Sequence, residues 1–171
     1  MEEFELTYLA KKDIISKLKK ATFKKMVDIY IPTTSKHPTL RIRKSGNKYE
    51  ITKKQPIKQG DASHQLEVTI PLTEKEYYEL NRIKGKRVYK NRFLYKENEY
   101  LYEIDVFQKD LKGLILVDIE FKSNNEKSMF RQPSWVLADV TQEDFIAGGM
   151  LCGKSYEDIS NKLKKFGYSK L

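Results

Sequence analysis

Pairs of ionisable residues spaced two apart recur along this sequence. Glu3 and Glu5 bracket Phe4, Arg41 and Arg43 bracket Ile42, Glu103 and Asp105 bracket Ile104, and Asp118 and Glu120 bracket Ile119. Lys90 with Arg92, Thr52 with Lys54, and Gln65 with Glu67 repeat the spacing. A period of two places both members on one face of a β-strand. Carboxylate oxygens suit hard divalent cations, and Arg and Lys suit phosphate oxygens. Brought together, these residues could hold a metal ion with a phosphate chain.

Other chemistries lack parts. His37, His64 and Cys152 are the whole complement of histidine and cysteine, too few for a zinc site of Cys/His type. No Ser or Cys sits in a nucleophile signature. Gly148-Gly149 stands alone among 8 glycines and reads as a helix terminus, not a phosphate cradle. A single cysteine forms no internal disulfide and suits a reducing compartment. No window approaches the ~18 apolar residues of a membrane span, and the opening MEEFELTYL lacks a signal-peptide core. A cytoplasmic protein without a membrane partner is expected, as a monomer or a homodimer.

Lys and Arg number 33 against 24 acids, a formal net charge of +9, which invites a polyanionic partner. The runs Lys17, Lys19, Lys20 and Lys162, Lys164, Lys165 read as solvated helix faces. No array of aromatic residues suggests single-strand nucleic-acid stacking.

The elements that must position the pairs are mostly strands. Residues 3–9 alternate polar and apolar, and Asp13 stands where it could cap a short helix reaching Leu18. Residues 21–31 read as a strand ended by Pro32, and residues 39–44 and 49–54 as a hairpin about Ser45-Gly46-Asn47. After a polar loop, residues 65–70 alternate until Pro71, and Thr73 to Glu76 forms a capping box for a helix to about Arg82. Residues 86–95 and 99–107 predict a second hairpin, and Leu114 to Phe121 an apolar strand. The rest reads as helix and loop: a stretch around Trp135, a helix start at Thr141 to Asp144, and a capping box from Ser155 to Asp158. A length of 171 residues predicts one domain, of about eight strands with helices around them.

Closing such a sheet into a barrel removes its edges and sorts alternate residues inside and out. From the pattern alone, two arrangements remain open. The sheet is apolar within and wet without, or helices cover an apolar outside and the lumen is charged. Lumen charges serving a ligand would repel one another without it. Removing Arg43 or Glu5 is then expected to spare the fold and slightly stabilise the ligand-free protein.

In order along the chain, Glu3-x-Glu5, Arg41-x-Arg43, Ile51-Thr52-Lys53-Lys54-Gln55-Pro56, Lys90-x-Arg92, Tyr102-Glu103-Ile104-Asp105-Val106-Phe107 and Gly113-Leu114…Asp118-Ile119-Glu120 resemble the CYTH superfamily, the triphosphate tunnel metalloenzymes. The tail resembles the closing segment of bacterial members, with Pro133-Ser134-Trp135 followed by Ala138-Asp139-Val140-Thr141. The likeness spans residues 2–150. It implies an α+β fold: an eight-stranded antiparallel closed β-barrel with helices packed outside, its lumen holding a triphosphate and Mg²⁺ or Mn²⁺. The resemblance makes Glu3, Glu5, Asp105, Asp118 and Glu120 metal-side carboxylates, with Glu103 able to substitute for Asp105. Arg41, Arg43, Lys54, Lys90 and Arg92 would grip phosphate, Glu67 would be a tunnel carboxylate, and Glu5, Lys90 and Arg92 would act at the reacting phosphoryl group.

Departures from the family pattern bear on turnover. The opening motif has a Lys two residues after its second Glu, where this chain has Thr7; Ser63, Gln65 and Thr69 also differ. Neither Lys11 nor Lys53 is expected to compensate, since Lys53 falls on the opposite strand face from Lys54. Three functions follow from the resemblance. They are hydrolysis of inorganic tripolyphosphate or an organic or nucleoside triphosphate, cyclisation of ATP to cyclic AMP, and binding of a triphosphate or RNA 5′ triphosphate with little turnover.

Overall fold

The computed structural model describes residues 1–19 and 21–171; Lys20, expected on a solvated helix face, lies outside the described residues. Nine strands are present among the described residues: β1 (Glu2–Ala10), β2 (Phe23–Ile31), β3 (Leu40–Ser45), β4 (Lys48–Pro56), β5 (His64–Leu72), β6 (Lys86–Glu97), β7 (Tyr100–Phe107), β8 (Ile115–Phe121) and β9 (Val136–Asp139). The helices are α1 (Ile14–Leu18), α2 (Glu74–Leu80), α3 (Asn124–Met129), α4 (Gly148–Leu151) and α5 (Tyr156–Lys164). The sheet runs β5-β4-β3-β2-β6-β7-β8-β1 and closes where β1 pairs with β5. Every pairing is antiparallel. The expected eight-stranded barrel is therefore the fold, with β9 as one added strand.

β1 does two jobs along its length. Glu2–Phe4 pair with β5 and close the barrel, while Tyr8–Ala10 pair with β9. The stretch around Trp135, expected as helix or loop, leads into this strand because the far end of β1 leaves an edge that β5 does not reach. Thr141 opens no regular helix either: its Oγ1 accepts from the Thr7 amide, and only a 3-10 turn at Asp144–Ile146 follows. Asp13 caps nothing with its side chain and has helical dihedrals itself. β5 continues through Pro71, opposite Glu50. The Glu67 amide faces β1, donating to the Met1 carbonyl, so the missing Pro71 amide lies on that side too, away from β4. The capping boxes at Thr73 and Ser155 form as expected.

The apolar residues divide between outside and one end of the barrel. Ile104, Val117, Ile119 and Tyr102 on the outer wall pack under α1, Phe130 and Trp135. Ile29 and Ile42 pack under Tyr77 of α2. Inside, each charged strand face turns apolar one step beyond its charged residues: Leu9 follows Thr7, Tyr30 follows Asp28, Phe107 follows Asp105, and Val88 and Leu116 adjoin Lys90 and Asp118. These five cluster with Phe145, Ile146, Leu151, Ile159 and Leu163 from the C-terminal segment. That segment plugs one end of the barrel, so the charged lumen opens at the other. Gly148 and Gly149 belong to the plug: a Cβ on Gly148 would collide with the Tyr30 hydroxyl, and one on Gly149 with the Pro38 carbonyl. Cys152 is buried there, as expected of a small apolar residue.

Leu151 is fully buried in the plug. Leu151→Ala is expected to cost roughly 2–5 kcal/mol in urea unfolding, in one cooperative transition. A loss below about 1 kcal/mol would show that the plug is not integral to the barrel.

Candidate functional site

Strand alternation gathers the predicted residues on the lumen wall, and the register sets their neighbours. On β1 and β8, Glu5 faces Glu120 and Thr7 faces Asp118. On β7 and β8, Glu103 faces Asp118, and on β6 and β7, Arg92 faces Asp105. Lys54 faces Glu67 across β4 and β5.

Two ionic groups result. In the first, Lys54 Nζ donates to Glu5 Oε2 at 2.6 Å and lies 2.5 Å from Glu3 Oε2, the latter off hydrogen-bond angles. In the second, Asp105 receives both Lys90 and Arg92, with Arg92 Nε and Nη2 at 2.7 and 2.6 Å. Arg92 also binds Glu103 and reaches Asp118 at 3.4 Å. Arg41 approaches Glu67 at 3.6 Å, and its buried Nε has no partner. A cleft lined by Met1, Glu3, Glu67, Val68 and Thr69 opens beside these residues at the β1–β5 seam. Lys53 is exposed on the outer face, and Lys11 Nζ donates to the Ser134 carbonyl, so neither stands in for a lysine at position 7. Thr7 Oγ1 instead donates to Asp118 Oδ1 at 2.9 Å.

Asp28 was not among the predicted residues. It receives Arg43 Nε and Nη2 at 2.6 and 2.8 Å in a buried bidentate pair. The signal for it was an acid between Val27 and Ile29 in an otherwise apolar strand, a position that only a buried partner makes tolerable. This pair corrects the expectation for Arg43. Its removal would strand a carboxylate that is 2% exposed, which destabilises the ligand-free protein.

The titration of the wall follows from these pairings. Burial raises the Asp105 carboxyl, but Arg92 and Lys90 outweigh it and hold the group at about 2. Burial likewise opposes ionisation of Asp28 and Glu5, yet Arg43 and Lys54 respectively keep both below the ordinary carboxylate range. At Asp118 the cations are outweighed. Burial, then Glu5 and Asp105, push it up to about 7, against the pull of Arg92. Glu120 is pushed up to about 7 by burial and by Glu103, Glu3 and Glu5, but it is exposed at the rim, where water screens the effect. Lys90 is lowered by burial and by Arg92.

All the donors on this wall are hard oxygens, the type Mg²⁺ and Mn²⁺ take. Among the described residues no group of three or more Asp, Glu, His or Cys is preassembled around a cation position. The carboxylates are held apart by Lys54 and Arg92, while Asp118 and Glu120 crowd like charge in the way a cation would relieve. The donor chemistry fits a divalent ion that recruits carboxylates now engaged with lysine and arginine.

Between pH 5 and 8 the metal-free protein should lose stability as pH rises. Folded Asp118 retains its proton up to about 7, whereas an unfolded aspartate has lost it above about 4, so the folded state binds the extra proton in that window. The loss should be on the order of 2 kcal/mol in urea midpoints measured with EDTA, and Asp118→Asn should flatten it. In the same assay Asp28→Ala should cost about 3–5 kcal/mol; a neutral result would contradict the buried pair.

No family model matches the chain. An inorganic triphosphatase from Nitrosomonas europaea is 34% identical over 116 residues, covering 67% of this chain and 74% of that protein. A solved inorganic triphosphatase structure is similar with a TM-score of 0.60 at 25% identity, over 88% of this chain and 93% of that one. A candidate adenylate cyclase from Bacillus halodurans shares the fold at 17% identity and a TM-score of 0.56, over 99% and 91% of the two chains. No helix among the described residues is long and apolar enough to cross a membrane. Closed barrel, charged inner wall and Nitrosomonas relative together place the protein: the chain belongs to the CYTH superfamily of triphosphate tunnel metalloenzymes.

Proposed function

We propose that this protein is a divalent-metal-dependent triphosphatase that hydrolyses inorganic tripolyphosphate within the barrel lumen. One observation carries the reading: the Arg41 guanidinium is held on the wall with its Nε buried and unpartnered. An orphaned buried donor costs roughly 1–3 kcal/mol, and a phosphate oxygen satisfies it in bidentate geometry. The inorganic triphosphatase relative supports the same substrate class.

A bound Mg²⁺ or Mn²⁺ would neutralise phosphate charge and polarise the phosphoryl group that water attacks. Glu3, Glu5, Asp118 and Glu120, with Glu103 or Asp105, are the oxygens that would hold it. The chain's own part is positioning and charge. Arg41 takes phosphate oxygens directly. Lys54, now paired with Glu3 and Glu5, would be a second grip on phosphate if those carboxylates held the cation. Lys90 and Arg92 are kept in place by Asp105 and carry positive charge to the reacting phosphoryl group. Arg43 reaches the lumen with what Asp28 leaves of its fork, Nη1, which stands 3.9 Å from Glu50.

A second reading has its own observation. Thr7, hydrogen-bonded to Asp118, occupies the strand position where the family motif has a lysine. One cation fewer at the reacting end favours a protein that binds a triphosphate and turns it over slowly.

Phosphate release from tripolyphosphate, ATP and thiamine triphosphate, with Mg²⁺ or Mn²⁺ and with EDTA, separates the readings, with cyclic AMP followed in parallel. Metal-dependent release is expected from tripolyphosphate, and Arg41→Ala should raise its KM on the order of tenfold or more. A raised melting temperature with triphosphate and metal but no release would establish the binding protein. Cyclic AMP formation would replace both.

A further inference from the structure

We propose that a cleft on the outer wall of the barrel binds a free aromatic amino acid, its ammonium at Glu99 and its carboxylate at Arg131. The cleft has a volume of about 490 Å³ and is formed by the β6–β7 turn and the segment that follows α3. That size is ordinary for a small-molecule site. It is separate from the lumen. Tyr102 lines the cleft, whereas the next residue, Glu103, binds Arg92 on the lumen wall, because successive strand residues face opposite ways. None of its residues takes part in the triphosphatase reading. The floor is aromatic and already in place: the Tyr100 ring packs edge-on against Phe130 and Phe121, with centroids 5.0 and 6.2 Å away, and Tyr102 edge-on against Trp135 at 5.0 Å. Met129, 62% exposed, adds an apolar rim. Tyr102 itself is 2% exposed, and its hydroxyl opens on the cleft without a hydrogen bond among the described residues. Buried tyrosine hydroxyls ordinarily have a partner, so this one points to a group that enters the cleft.

The charges identify the occupant. Glu97 and Glu99 come from the β6–β7 turn, and Arg131 from the segment after α3. Glu97 is already engaged: its Oε2 accepts from Trp135 Nε1 at 2.7 Å, its Oε1 from the Tyr95 hydroxyl at 3.2 Å, and Lys17 lies 3.5 Å away. Glu99 and Arg131 enter no ion pair among the described residues. Arg131 donates only from Nη1, to the Phe130 carbonyl at 3.3 Å, which leaves most of its fork unused. An acid and a guanidinium thus line one cleft without meeting. A ligand with a single charge answers one of them. An α-amino acid carries an ammonium and a carboxylate on one carbon, so it answers both, and the guanidinium takes the carboxylate in bidentate geometry. An aromatic side chain then covers the tyrosine floor.

Calorimetric titration of the full chain with L-phenylalanine, L-tyrosine and L-tryptophan tests the site. Phenethylamine, which lacks the carboxylate, and 3-phenylpropionate, which lacks the ammonium, are titrated beside them. At least one amino acid should bind saturably, and both analogues about tenfold more weakly. Arg131→Gln should weaken the amino acid about tenfold and leave phenethylamine unchanged; Glu99→Gln should weaken it likewise and spare 3-phenylpropionate. Tyr102→Phe should weaken binding without lowering the melting temperature, since the hydroxyl bonds to nothing in the protein. Tripolyphosphate should not displace the bound amino acid. Displacement would put the ligand in the lumen and overturn the site. So would the absence of saturable binding by all three amino acids at millimolar concentration, or binding indifferent to Arg131→Gln and Tyr102→Phe.

Discussion

The structure depends on keeping ionised side chains inside a closed barrel. A carboxylate or ammonium out of water costs several kcal/mol unless it is paired, and this lumen pairs most of what it holds. Asp28 takes Arg43, Asp105 takes Lys90 and Arg92, and Glu5 takes Lys54. What is left unmatched has direction. Carboxylates crowd at Asp118 and Glu120, and Arg41 retains a free donor. One side of the wall therefore wants positive charge and the other wants an anion. In the proposed reading, a divalent cation with a phosphate chain would answer both at once.

The rest of the molecule serves that compartment. Because the inner face is spent on charge, the hydrophobic core is built where it can be: on the outer wall under α1 and α2, and at one end against α4 and α5. The end plug makes the lumen a cup with one mouth, through which a ligand would both enter and leave. The buried Asp28–Arg43 pair also divides two arginines that share a strand face. Arg43 is tied into the wall, while Arg41 is the one with capacity to spare.

Period-two alternation was legible in the sequence and placed nearly the whole wall: Glu3, Glu5, Arg41, Arg43, Lys54, Glu67, Lys90, Arg92, Glu103, Asp105, Asp118 and Glu120 all lie on the lumen side. Alternation alone did not decide which face is inside, since an apolar face can line a barrel as well as cover one. The family resemblance supplied that choice. Asp28 was missed because it is a single acid without a partner two residues away; its partner is on another strand. β9 was missed because four residues carry too little period to read, and they become a strand only by meeting the edge β1 exposes. The plug escaped notice for a related reason: Tyr30, Val88 and Leu116 read as ordinary strand residues until the C-terminal segment packs onto them.

A crystal structure with tripolyphosphate and Mn²⁺ tests the central claim most directly, that the unmatched charges of the lumen are the binding site. The account predicts anomalous density for manganese among the carboxylates of β1 and β8, phosphate oxygens within hydrogen-bond distance of Arg41 Nε, and Lys54 turned from Glu3 and Glu5 toward phosphate. Tripolyphosphate bound only to the basic exterior, with the lumen pairs undisturbed, would contradict it.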